Sequence, residues 1–293
     1  MRRDTFSNYH PIVNMLYFVL VIGAAMALRH GGCQVLALIA SFSYCLALEG
    51  SKVWKMLRWL VPLALCSTLI NMLVSREGAT PLFTLGGAPV TLESTLYGLS
   101  SAVMLMTVIL WFRAFSVVIT TDKFLYLFGR IVPALSLVVS MTLRFVPLFG
   151  RRLQQVREAQ RTLGCREGGT VRERIGRGAA MLSVLVTWSL EKAIDTGDAM
   201  KSRGYGLQGR TAFVRYRFER RDILATVAIL LCAAVLIAGA ALGALYWQYY
   251  PTITGALTPW SAAVCGIYCA GCCLPLILKW KEEAQWRSLT FDN

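Results

Sequence analysis

The chain is 293 residues long, with 56% hydrophobic and 16% charged residues, a mean hydropathy of +0.55 and a formal net charge of +14 at pH 7. This composition excludes an ordinary water-soluble domain, because apolar runs of about 20 residues without charges can each cross a hydrocarbon core of about 30 Å. The sequence reads as an all-α, polytopic membrane protein with about six transmembrane helices and a cytoplasmic insertion.

In chain order, Arg2 and Arg3 precede a first apolar helix over 12–28. No small-residue cleavage site occurs before Arg29, so this helix is expected to stay rather than be removed as a signal peptide. A second helix covers 33–48, and Lys52, Lys55 and Arg58 separate it from a third over 57–74. The connection 75–95 carries Gly78, Pro81, Gly86, Gly87 and Pro89, too broken to cross but suited to turns and a short hairpin. A fourth helix follows over 96–120.

The next apolar stretch, 131–149, contains Pro133, Arg144 and Pro147, and a charge at membrane depth is costly. Beyond it, residues 150–222 hold 16 of the 30 basic residues and belong in the cytoplasm. Four crossings from a cytoplasmic N-terminus already return the chain inside, so parity makes 131–149 a non-spanning, interfacial element. The last two helices, over 223–247 and 260–280, then go out and back. Lys279, Lys281 and Arg287 are left inside, and both termini are cytoplasmic. The chain divides into membrane helices (1–130), interfacial and cytoplasmic helices (131–222) and C-terminal membrane helices (223–293).

Within the basic insertion, 149–163 reads as an amphipathic helix with Val156 and Leu163 on its apolar face, ending at Gly164. A second helix starts at Thr170, with Glu173 placed as in a capping box, and ends before Gly204 and Gly206. Basic residues on these helices suit anionic lipid or a docking protein. A nucleic-acid role is not expected, since no binding module is present and Glu158, Glu167, Glu173 and Glu191 interrupt the charge.

Eight of the nine cysteines lie in apolar runs, where they read as small packing residues, and Cys165 lies in the basic insertion. Cys265, Cys269 and Cys273 fall at i, i+4, i+8 with Cys272 beside them, but no acid or histidine accompanies them in that run, so no metal site and no cofactor is expected.

Several stretches resemble, in order, the transmembrane T components of energy-coupling factor (ECF) transporters, the EcfT/CbiQ family. These are Phe6-Ser7-Asn8-Tyr9-His10-Pro11, Thr120-Thr121-Asp122, Leu143-Arg144-Phe145-Val146-Pro147 and Asp198-Ala199-Met200-Lys201-Ser202-Arg203-Gly204-Tyr205-Gly206. The last resembles the second of two Ala-Arg-Gly-like motifs that end the family's coupling helices. The first motif falls in Glu158-Ala159-Gln160-Arg161-Thr162-Leu163-Gly164, where Thr162-Leu163 replaces the family's Ala-Arg.

The resemblance implies a non-catalytic scaffold in a prokaryotic cell membrane, complexed with two cytoplasmic ABC-type ATPases and a small substrate-capture subunit (the S component). Such a complex imports vitamins or metal ions. It implies ATPase coupling through Ser202, Arg203, Gly204, Thr162, Leu163, Gly164 and Arg161, with Arg144 and Pro147 as a hinge or interfacial element. No Gly-x4-Gly-Lys-Ser/Thr cradle is present, so nucleotide would bind elsewhere. Two other classes are compatible with a membrane chain of this kind. A free-standing permease would need midplane polar groups, and the spans offer few beyond Asn71 and Arg113. An intramembrane protease is suggested by Glu282-Glu283 and Arg287, but these lie in the terminal tail and the only histidines are His10 and His30.

Overall fold

The computed structural model describes residues 5–75, 78–85, 88–162, 170–207, 216–243, 245–250, 254–255 and 258–291. Among these are nine α-helices: α1 (Pro11–Ala27), α2 (Gly31–Glu49), α3 (Lys52–Val74), α4 (Leu92–Val118), α5 (Thr121–Ile131), α6 (Pro133–Thr162), α7 (Val171–Ser202), α8 (Arg220–Ala241) and α9 (Pro259–Phe291). A short 3-10 turn (Thr5–Asn8) precedes α1, and strands β1 (Pro81–Leu85) and β2 (Ala88–Thr91) form an antiparallel hairpin between α3 and α4. The all-α polytopic expectation holds, with that hairpin as its one small sheet among the described residues.

The chain divides into two compact units, 1–124 with 216–293, and 125–215. In the first, α2 packs on α4 and α9, α3 lies against α4, and α1 and α9 flank α8. Its centre is aromatic. Trp111 is fully buried, with the rings of Tyr17 and Tyr44 each 6.0 Å away and Phe18 at 6.3 Å; Phe6 stands edge-on to Tyr17 at 5.0 Å. Edge-to-face pairs of this kind add to plain area burial. The outside is apolar too: Trp59, Leu65, Leu69, Leu224 and Leu231 are exposed, a surface suited to lipid rather than water.

In the N-terminal segment Phe6, Tyr9, His10 and Pro11 are buried while Asn8 is exposed, and hydrogen bonds satisfy polar groups of the segment. His10 caps α1, its Nδ1 accepting from Ile12 N–H at 3.3 Å, and Pro11 occupies the first helical position, where no N–H is needed. The His10 N–H donates to Asp222 Oδ1 at 3.1 Å, while Asp222 Oδ2 accepts from Glu219 N–H at 2.9 Å in the capping box of α8. Lys123 Nζ donates to the carbonyls of Ser7 (2.5 Å) and Val118 (3.0 Å) and to Ser7 Oγ (3.0 Å). Arg221 lies over the Tyr9 ring at 5.5 Å.

Several boundaries differ from the sequence reading, each for a local reason. α3 starts at Lys52 rather than 57, because lysine and arginine in a first turn can keep their heads in water while their stems pack. α4 starts at Leu92, capped by Thr91 Oγ1 on Ser94 N–H at 3.3 Å. α8 stops at Ala241, short of 247, and Gln248 pairs with Thr254 beyond it. α5 had not been expected.

The largest difference concerns 131–149, which is not a separate element: it forms the first half of the 30-residue α6, which runs through Pro147. Proline lacks the N–H for the carbonyl four residues back, so one ladder bond at Leu143 is missing while the helix continues. By length and apolar composition alone, Ala134–Thr162 joins five other helices that could cross a membrane, whereas Pro11–Ala27 is shorter. The tally of six is as expected; its membership is not.

The packing reading of the cysteines needs a correction. Cys33 and Cys265 form a disulfide between α2 and α9, with Cα atoms 5.4 Å apart and a sequence separation of 232. Cys269, Cys272 and Cys273 remain free thiols.

Candidate coupling site

The second unit is built on the helix pair α6 and α7. The two meet through Phe149, whose ring lies 5.6 Å from Trp188, and Arg152, whose guanidinium lies over the same indole at 5.7 Å. α7 begins as its sequence pattern requires: Thr170 Oγ1 accepts from Glu173 N–H at 3.5 Å. Ile175, Leu182, Leu190 and Ile194 are exposed along its 32 residues.

At the far end, Tyr205 N–H bonds the Met200 carbonyl at 3.1 Å and Gly204 N–H the Lys201 carbonyl at 2.9 Å, the crossed pair of a Schellman motif. Gly204 takes φ +72°, and a Cβ there would stand 3.1 Å from Leu207 Cδ1, so a side chain is disfavoured by conformation and by space. Arg203 is therefore held at the C-cap by backbone geometry. Its N–H bonds the Ala199 carbonyl at 3.3 Å, Ser202 Oγ donates to the same carbonyl at 3.0 Å, and both residues are exposed.

The first motif is only partly described. Thr162 ends α6 with its hydroxyl donating to the Ala159 carbonyl at 2.7 Å, while Leu163 and Gly164 lie outside the described residues. Arg161 is exposed and, with Arg157, Gln160, Arg174, Arg177 and Met181, lines an open cavity of about 540 Å³ between α6 and α7. Arg144 and Pro147 are exposed on α6. The described residues among those expected thus lie on one helix pair but are not brought together: Arg161 and Thr162 stand at the end of α6 near the start of α7, and Ser202, Arg203 and Gly204 at the other end of that 32-residue helix. Sequence reading missed the Arg152–Trp188–Phe149 contact, which joins the two helices; its only signal was an aromatic on each of two amphipathic patterns.

The groups a permease would need are engaged elsewhere. Arg113 forms a two-point pair with Glu49, at 2.5 and 3.0 Å, and Asn71 Nδ2 donates to the Ser67 carbonyl at 3.0 Å within its own helix.

With this geometry in view, comparison with known proteins is decisive. Residues 10–213, most of the chain, match the model of the CbiQ family, described as cobalt transport protein. The chain belongs to the CbiQ family. It is accordingly a multi-pass membrane T component of the ECF transporter class. It is 24% identical over 235 residues to the energy-coupling factor transporter transmembrane protein EcfT of Staphylococcus aureus, a match covering 75% of this chain and 88% of that protein. EcfT 1 of Listeria monocytogenes is 28% identical over 199 residues, covering 62% of this chain and 72% of the relative. EcfT of Lactobacillus helveticus is 35% identical over 118 residues, but the chain spans only 42% of that relative's length and the match covers 39% of this one. The matched span of the T component runs from His10, where the N-terminal clamp is made, through Arg203 and the end of α7.

Proposed function

We propose that this T component is the scaffold and coupling subunit of an ECF-type importer. It binds two cytoplasmic ABC-type ATPases through the ends of α6 and α7 and passes their conformational change to a small S component that captures a vitamin or metal ion. One observation carries the reading: Arg203 stands exposed at a helix terminus whose geometry is set by a Schellman motif and Gly204. With its backbone fixed at a rigid helix end, the arginine is placed to reach an acidic pocket on a partner, which suits the passing of force through an interface. The polar groups of the alternative permease are tied up internally, as described above.

The same reading orients the protein. The loop after α1, the α3–α4 connection and the α8–α9 connection meet: Tyr249 Oη donates to the Arg29 carbonyl at 3.4 Å, and the Ser75 and Tyr250 hydroxyls bond at 2.7 Å. The opposite end carries Lys52, Lys55 and Arg58, Arg220 and Arg221, and Lys279, whose ammonium donates to the Ala47 carbonyl. Positive charge marks that end, and both termini, as cytoplasmic. α6 then does not cross. From Ala134 to Phe149 it spans only about 24 Å at 1.5 Å per residue, with Arg144 inside, and Arg151, Arg152, Arg157 and Arg161 follow.

Purification of the tagged chain from native membranes, with identification of what accompanies it, tests the assembly. Two ATPases and a small membrane protein are expected. Saturable solute uptake by liposomes holding the chain alone would overturn the scaffold reading.

A further inference from the structure

Near the Cys33–Cys265 disulfide lies a third side chain with ligand chemistry. His30 is the residue before α2, Cys33 is in that helix's first turn, and Cys265 is in the second turn of α9. All three are buried, and one donor atom from each lies within 4.8 Å of the other two; His30 Nδ1 is 3.9 Å from Cys265 Sγ. His30 is 2% exposed and its Nε2 has no hydrogen-bond partner among the described residues, so this imidazole is buried without the polar satisfaction burial normally demands. The cluster sits at helix starts rather than mid-span, under Trp247, whose ring meets His30 edge-on at 4.9 Å, and Tyr249, bonded to Arg29. Aromatic residues of this kind line the water-facing edge of a bilayer, where reagents can arrive.

We propose that His30, Cys33 and Cys265 form a redox-gated binding site for a divalent thiophilic cation of the zinc or cadmium class. In the oxidised state the sulfurs are bonded to each other and tie α2 to α9. A dithiol reductant supplies two electrons and two protons and is itself oxidised to its disulfide, leaving two thiols. A divalent cation then displaces both thiol protons to solvent, forming two metal–sulfur bonds and one bond to imidazole nitrogen, with a fourth position open to water.

The geometry is close to what such a centre needs. With metal–sulfur and metal–nitrogen distances of about 2.3 and 2.1 Å, tetrahedral donors stand about 3.6 Å apart, near the observed 3.9 Å. The sulfurs must part to about 3.7 Å, within reach of side-chain rotation at a Cα separation of 5.4 Å. Charge favours it as well: two thiolates and a dication sum to zero, so the closed site buries no net charge. The pair of cysteines, 232 residues apart, lies outside any local motif spacing.

The experiment uses the full-length chain in detergent, reduced with a dithiol that is then removed, and titrated with cadmium(II). A thiolate-to-cadmium ultraviolet band saturating at a single equivalent is expected, with protection of Cys33 and Cys265 from alkylation by mass spectrometry. The same preparation left oxidised should show no band, and its Cys33 and Cys265, joined as a disulfide, should stay unalkylated with and without cadmium, a control that needs no mutation. Since loss of an outer-shell partner alone weakens metal binding about 10- to 100-fold, Cys33→Ser should weaken it at least about 100-fold and His30→Ala about tenfold or more. The variant Cys269→Ser/Cys273→Ser should bind as the parent does. If reduced parent shows no band, if alkylation of Cys33 and Cys265 is unchanged by cadmium, or if the signal depends on Cys269 and Cys273 instead, the site is not there.

Discussion

Arg203 permits a separation of charge from helix geometry. Arg203→Ala leaves the backbone bonds of the Schellman motif in place, because the Arg203 donor to the Ala199 carbonyl is a backbone N–H; the charge–dipole part of the loss to the fold is about 0.3–1 kcal/mol. If the guanidinium pairs with a buried carboxylate on an ATPase, truncation costs about 2–5 kcal/mol of binding, a complex at least about thirtyfold weaker. Gly204→Ala is the companion perturbation: it keeps the charge but forces a Cβ into φ +72° beside Leu207, at about 1–2 kcal/mol of local strain that melts or re-aims the end of α7. Both variants should lose ATPase copurification and coupled uptake, and Gly204→Ala should lower the unfolding temperature as well, through the strained backbone at φ +72°. Leu163→Ala, at the other motif, should do far less. Full ATPase binding and uptake by Arg203→Glu at normal membrane yield would refute the reasoning and reduce Arg203 to a helix cap.

Other outcomes follow from the fold. Asp222→Ala strips a buried acceptor from the N–H groups of His10 and Glu219 and should destabilise the first unit by about 1–3 kcal/mol, read as an earlier denaturant midpoint. Trp111→Ala empties the centre of the aromatic cluster and should cost about 3–5 kcal/mol in the same assay, enough to depress folded membrane yield. In a background keeping only Cys33 and Cys265, a membrane-impermeant thiol reagent applied to intact cells should label Ala79→Cys and not Lys201→Cys; the reverse pattern would invert the proposed topology.

The apolar helices were legible because length and composition suffice to name a span, and α7 was legible at both ends because Thr170, Gly204 and Gly206 are direct backbone signals. Boundaries slipped where charged or polar residues belong to a helix for tertiary reasons. Lys52 opens α3, and Glu93, buried in the first turn of α4, accepts hydrogen bonds from Thr80 across the hairpin. The sequence pattern separates 131–149 from a helix over 149–163, yet the two are one 30-residue helix, which the ladder bond missing at Pro147 does not end. Ser202, Arg203 and Gly204 stood out as coupling candidates through the resemblance of 198–206 to a family motif, with Gly204 and Gly206 marking the helix end. The roles of Lys123 and Asp222 could not be read from the sequence, since their partners Ser7 and His10 lie 116 and 212 positions away. The disulfide escaped for the same reason.

The N-terminal clamp also constrains the order in which the molecule can be completed. Ser7 is held by Lys123, just before the chain enters its second unit, and His10 by Asp222, shortly after it returns, with Phe218 stacked 4.3 Å from the imidazole. A ribosome delivers His10 long before its acceptor exists. The segment 5–10 must therefore wait, first for the end of α4 and then for the whole of α6 and α7, before its last backbone donor is satisfied. A nascent chain halted before residue 222 has its first membrane helices but no lock on the strand that leads into α8. Stalled at that point, the protein should be open to proteolysis within 5–10, and release of the stall should close that site.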